Sequence, residues 1–114
     1  MADGSPRERI KCKLLFKLSR RHGWGAPISK DGLVDQALAD SEAQLGRDVC
    51  EHLKNEPYIS YQRGRGYSIK NNPDAQAQIA FFLRDTCSYS EIRIEATLSR
   101  FEQSGGFDTY DSPP

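Results

Sequence analysis

No apolar run in this sequence approaches the ~18 residues that a membrane-spanning helix needs. Its first residues, Met1 to Arg9, lack the apolar stretch of a secretory signal. The expected location is therefore cytoplasmic, with no membrane partner. Cysteine is scarce: Cys12, Cys50 and Cys87 are odd in number, far apart, and form no C-x-x-C pair. They read as three reduced, buried small hydrophobes. Scattered cysteines with only His22 and His52 beside them do not offer zinc-ligand spacing, and no metal or cofactor is expected. Catalytic signatures are missing too. Gly64-Arg65-Gly66 lacks the following helix that a phosphate loop requires. No Ser or Cys has the context of an activated nucleophile. Nothing meets the outline of an active site, so the chain is not expected to be an enzyme.

Net charge is also absent, since 16 Lys and Arg balance 16 Asp and Glu. The balance is uneven along the chain. Residues 1–72 carry 13 Lys and Arg against 9 Asp and Glu, and residues 73–114 carry 3 against 7. A basic front and an acidic back suggest two jobs.

What is present suffices for one modest core: 114 residues, 37% hydrophobic and 28% charged. Residues 1–6 read as a flexible tail. Good helix formers without Pro or Gly run over 7–22. Ile10, Leu14, Leu15 and Leu18 share one face there, and Lys13, Lys17 and Arg20 share another. Gly23-Trp24-Gly25-Ala26-Pro27 ends that helix. Ser29 caps a second helix over 30–38 with Leu33, Val34, Ala37 and Leu38 inward. Ser41 is the expected cap of a third helix, to about residue 54. Its apolar side is Leu45, Gly46, Val49, Cys50 and Leu53; its polar side is Gln44, Arg47, Asp48, Glu51 and Lys54.

After Pro57 come two short β-rich runs, 58–61 and 67–70, joined by Gln62-Arg63-Gly64-Arg65-Gly66, which read as a hairpin. Trp24 and Tyr67 are expected as core aromatics. Asn72 and Pro73 open a helix to about residue 86. A last helix is expected over 91–103, and a disordered tail over 104–114.

The order helix, helix, turn, helix, hairpin over residues 9–70 resembles the winged helix-turn-helix family. The local likeness is tightest at Gln62-Arg63-Gly64-Arg65-Gly66-Tyr67-Ser68-Ile69, which is similar to the R-G-x-G-Y wing hairpin of prokaryotic winged-helix regulators. The fold class implied is α+β, mainly helical. It consists of a winged helix (three helices plus a two-stranded β-hairpin wing) over 7–72, with two additional C-terminal helices over 73–103.

The resemblance implies a DNA-binding protein acting in transcription regulation, with double-stranded DNA as partner. The third helix would enter the major groove, where Arg47 can pair with guanine and Gln44 with adenine. Asp48 and Glu51 can accept from cytosine, and Lys54 completes that face. Arg63 and Arg65 at the wing tip suit phosphates or a narrow minor groove. Ser29 and Lys30 start a helix whose free amides can hold a phosphate. Two alternatives stay open: a winged-helix protein-interaction module, favoured by neutral charge and by Asp48 and Glu51, and a plasmid or viral replication or maintenance factor. A small-molecule effector is not identifiable.

The two C-terminal helices need a purpose. Ile94, Leu98 and Phe101 share a face of the last helix, while Ile92 and Ala96 lie nearly opposite. A helix apolar on two sides must bury both. The expectation is a homodimer whose interface includes Phe81, Ile94, Leu98 and Phe101; the rival is simple enlargement of the core.

Overall fold

The computed structural model of the chain describes residues 5–22, 27–70 and 72–110. Among these residues it is α+β and mainly helical, with one two-stranded antiparallel sheet. Helix α1 (Pro6–His22) starts where the Ser5 hydroxyl accepts the Glu8 amide at 3.1 Å, satisfying a donor that has no partner within the helix. Its apolar stripe, Ile10, Leu14, Leu15 and Leu18, is buried as the spacing predicts. Helix α2 (Lys30–Ala37) is capped by Ser29, which accepts from Gly32 at 3.0 Å. Helix α3 (Ala43–Leu53) packs on both, burying Gly46, Val49, Cys50 and Leu53.

The entry to α3 differs from expectation. Ser41 does not cap it; Asp40–Glu42 form a 3₁₀ turn instead. The Glu42 carboxylate accepts from the Ala39 amide at 3.3 Å and from Lys13 at 3.0 Å. Glu42 thus takes the role of satisfying an orphan amide.

Strands β1 (Ile59–Gln62) and β2 (Gly66–Ile69) pair in the register Ile59–Ile69, Tyr61–Tyr67 and Gln62–Gly66. The loop Arg63-Gly64-Arg65 is closed by the Arg65 amide donating to Gln62 at 2.9 Å, with Gly64 at φ 82°. The hairpin is stitched to the segment before α2. Ile28 and Tyr67 exchange backbone hydrogen bonds of 2.9 and 2.8 Å. Gly66, at φ 117°, lies so close that a Cβ there would overlap the Ile28 carbonyl. Tyr67 is buried as expected, its hydroxyl donating to the Cys50 carbonyl at 3.1 Å. Trp24 and the side chain of His22 lie outside the described residues.

Helix α4 (Pro73–Asp85) has the expected start, with Asn72 accepting from the Ala75 amide at 2.8 Å. Beyond it, four expectations change. The last helix is two: α5 (Glu91–Thr97) and α6 (Ser99–Gln103), broken at Leu98 with φ −109° and ψ 79°. The Thr97 hydroxyl donates to the Ile94 carbonyl at 2.9 Å, competing with the helical ladder. Ile94, Leu98 and Phe101 are all buried across the bend.

Second, the proposed dimer residues Phe81, Ile94, Leu98 and Phe101 are buried within this chain at 2% exposure or less. Phe81 packs edge-on to Phe101 and Phe107. A second copy cannot reach these side chains. The opposite side of α5 is left in solvent: Ile92 is 82% exposed.

Third, the supposed tail is ordered through Tyr110. A 3₁₀ turn (Gly106–Asp108) carries Phe107 onto Phe81 and Phe101, and the Tyr110 hydroxyl donates to Asp74 at 3.2 Å. Two aromatic side chains against the core offset the entropy of ordering this segment. Residues 111–114 lie outside the described residues.

Fourth, Cys12 on α1 is disulfide-bonded to Cys87 just after α4, across 75 residues of sequence. The expectation of three reduced thiols fails because α1 packs against α4 and brings these positions together. Disulfides persist in oxidising surroundings, so cysteine usage no longer argues for an intracellular location. Cys50 alone is a free, buried thiol, and burial pushes its pKa up to about 11. One hydrophobic core runs through both halves, from Ile10 to Phe101. Among the described residues, no helix is long and apolar enough to cross a membrane.

Candidate nucleic-acid interface

The nine residues expected to meet nucleic acid come from three elements. Ser29 and Lys30 lie at the start of α2; Gln44, Arg47, Asp48, Glu51 and Lys54 lie on α3 or at its end; Arg63 and Arg65 flank the hairpin tip. Packing of α3 on α2, and the Ile28–Tyr67 bridge, bring the three together. Ser29, Lys30, Glu51 and Arg65 line one cleft of about 220 Å³, with Tyr61 and Tyr67 in its wall.

The α3 face is a set of ion pairs. The Arg47 Nε donates to Asp31 Oδ1 at 3.2 Å. Lys30 Nζ donates to Glu51 Oε2 at 2.7 Å, and Lys54 Nζ lies 2.8 Å from Glu51 Oε1. Lys54 also sits over the Tyr61 ring, 5.0 Å from its centre. The Lys30 hydrogen bond first, and the Lys54 one second, hold the Glu51 carboxyl down at about 2. The same Glu51 bond raises the Lys30 pKa. All these groups face water, where ion pairs contribute little to stability. Their effect is to fix where the cations sit and what they touch. Gln44 and Asp48 are exposed and make no hydrogen bond or ion pair with the described residues.

The hairpin tip is different. Arg63 and Arg65 are exposed, and neither side chain has an ion pair or hydrogen bond among the described residues. Gly64 between them has open space where a Cβ would be. A guanidinium with five donors and no internal acceptor is the group best suited to an external phosphate.

The basic face of α1 is spent inside the molecule in part. Lys13 binds Glu42, and the Arg20 guanidinium lies over the Phe16 ring at 5.9 Å. His52 is exposed, on α3. Among the described residues, no cluster of His, Cys, Asp and Glu could hold a metal ion.

Three contributors to the site escaped sequence reasoning. Asp31 is legible only as an acidic residue in the first turn of α2, not as the partner of Arg47. Tyr61 reads as a strand residue rather than a platform for Lys54. Ile28 carries no signal that it would anchor the hairpin. No protein-family model, curated protein or solved structure matches the chain.

Proposed function

We propose that residues 7–72 form a winged helix that binds duplex DNA, with α3 toward the major groove and the hairpin tip on the backbone or minor groove. The role we assign is transcription regulation. One observation carries the reading: Arg63 and Arg65 stand at the tip of an anchored hairpin, exposed and without a carboxylate partner among the described residues. Unpaired cations on a rigid element are what releases counterions from a phosphate backbone. The neighbouring α3 face supplies side chains that reach base edges, with Arg47 and Gln44 the readers of guanine and adenine.

The test is fluorescence anisotropy with a mixed-sequence duplex, titrated across salt, for the wild type and R63A/R65A. The expected result is micromolar binding with a steep salt dependence, whose slope falls by up to about 2 in the double variant. Absence of wild-type binding at low salt overturns the reading. It would favour a second one, a winged-helix module for a protein partner. That alternative draws support from the α3 face, where Arg47, Lys30 and Lys54 are already matched by Asp31 and Glu51.

A further inference from the structure

Glu51 stands between two lysines supplied from different places in the chain. Lys30 comes from the start of α2 and Lys54 from the end of α3. Each oxygen of the carboxylate serves one ammonium, at 2.7 and 2.8 Å. The three side chains are 33–48% exposed, so solvent reaches all of them. Arg65, held by no carboxylate among the described residues, lines the same cleft. Two ammoniums placed to share the two oxygens of a carboxylate are also placed to share the two non-bridging oxygens of a phosphodiester. Lysine binds both anions as a compact point charge with three donors.

We propose that Glu51 occupies, in the free protein, the place that a backbone phosphate of duplex DNA takes between Lys30 and Lys54 in the complex. The inference rests on the DNA-binding reading above. Binding exchanges an internal carboxylate for an external phosphate, and Glu51 turns out into the solvent it already touches. The free α3 face is thereby kept close to neutral. First encounter falls to Arg63 and Arg65, and the lysines transfer only once a phosphate is seated beside them. The exchange lowers affinity, because the lysines must leave Glu51 and because its displaced charge stays near the backbone. It also makes binding depend on a duplex that reaches the tip and the cleft together.

Three variants test it, by anisotropy on a mixed-sequence duplex across salt. E51Q removes the internal competitor. D48N is its charge-matched control, since Asp48 lies on the same helix and holds neither lysine. E51Q is expected to bind roughly three- to tenfold more tightly than wild type, and D48N to gain less than about half of that factor. K30Q/K54Q is expected to lower the salt slope by about 1, since the one phosphate contact that is lost removes about 0.9. Equal gains for D48N and E51Q overturn the inference, because net charge alone then explains the effect. A K30Q/K54Q slope equal to that of wild type also overturns it, because the lysines then stay on Glu51 in the complex. In both cases wild-type binding persists and the DNA reading stands. If wild type, E51Q and D48N all fail to bind at low salt, the DNA reading falls and takes the inference with it.

Discussion

Among the described residues, Arg63 and Arg65 at the hairpin tip stand in solvent with no carboxylate, whereas Lys30, Arg47 and Lys54 on and beside α3 are each held by one. Both regions are rich in cations, and they differ in what surrounds those cations. The tip is a three-residue loop with no acid among its own residues, although Arg65 lines the same cleft as Lys30 and Glu51. On α3, helical spacing puts Glu51 three residues before Lys54, and packing against α2 adds Lys30 and Asp31. The charge that a surface carries in sequence is therefore not the charge it offers to a ligand. The tip offers nearly all of its charge. The α3 face, whose Lys30, Arg47 and Lys54 are matched by acids, offers little.

The strongest way to break this contrast is to detach the tip. Gly66→Ala places a Cβ against the Ile28 carbonyl at a backbone φ of 117°. The expected cost is about 3 kcal/mol or more, read as a fall in the denaturant midpoint. A loss below about 1 kcal/mol would mean that the hairpin does not lie on Ile28. DNA binding should weaken further than in R63A/R65A, since the whole tip then moves relative to α3.

A smaller effect should come from opening the Cys12–Cys87 bond, which joins α1 to the end of α4. C12S/C87S is expected to lose about 2–4 kcal/mol of stability. Its salt slope on DNA should stay that of wild type, because neither surface includes either cysteine. A flattened slope would show that the contrast depends on the C-terminal half. Thiol titration of unreduced protein in denaturant should find one thiol, Cys50; three would mean that the bond is absent.

The smallest effect concerns pH. The folded pKa of Glu51, about 2, lies below its ordinary value of 4.5. A depressed carboxyl stabilises the fold above its unfolded pKa and loses that contribution as pH falls toward the folded one. The stability difference between wild type and E51Q should therefore shrink from about pH 4.5 down to about 2, as followed by thermal melts. A difference that is constant across that window would remove the Glu51 bridge. R63A/R65A should show no such window, because the tip has no paired acid.

Most of the local architecture was readable beforehand. The stripe Ile10–Leu14–Leu15–Leu18, the Ser29 cap, the arginine-tipped hairpin and the Asn72–Pro73 helix start all appear where near-neighbour rules place them. Each depends on interactions within about four residues, or on one turn. The same rules failed where local signals were ambiguous. Ser41 and Glu42 both suit a helix start, and the one that also reaches Lys13 prevailed. The run from Glu91 to Gln103 contains no Pro or Gly, and a lone Thr97 is too weak a local signal to mark the break at Leu98. At the break the Thr97 hydroxyl bonds the Ile94 carbonyl, and α5 and α6 each pack on α4.

The candidate site divides in the same way. Sequence alone determined which residues could carry it, because helix periodicity and the glycines of a tight turn decide which side chains face outward. It also placed Arg63 and Arg65 in the turn, expected as the five residues 62–66 and found as three, with the strands at Ile59–Gln62 and Gly66–Ile69. Only the tertiary structure decided which of these cations are free. The pairing of Lys30 with Glu51 spans 21 residues and that of Arg47 with Asp31 spans 16, and the Cys12–Cys87 bond spans 75. Such contacts depend on how helices cross and which faces meet. That is settled by packing the whole core at once, not by any stretch of chain short enough to read by itself.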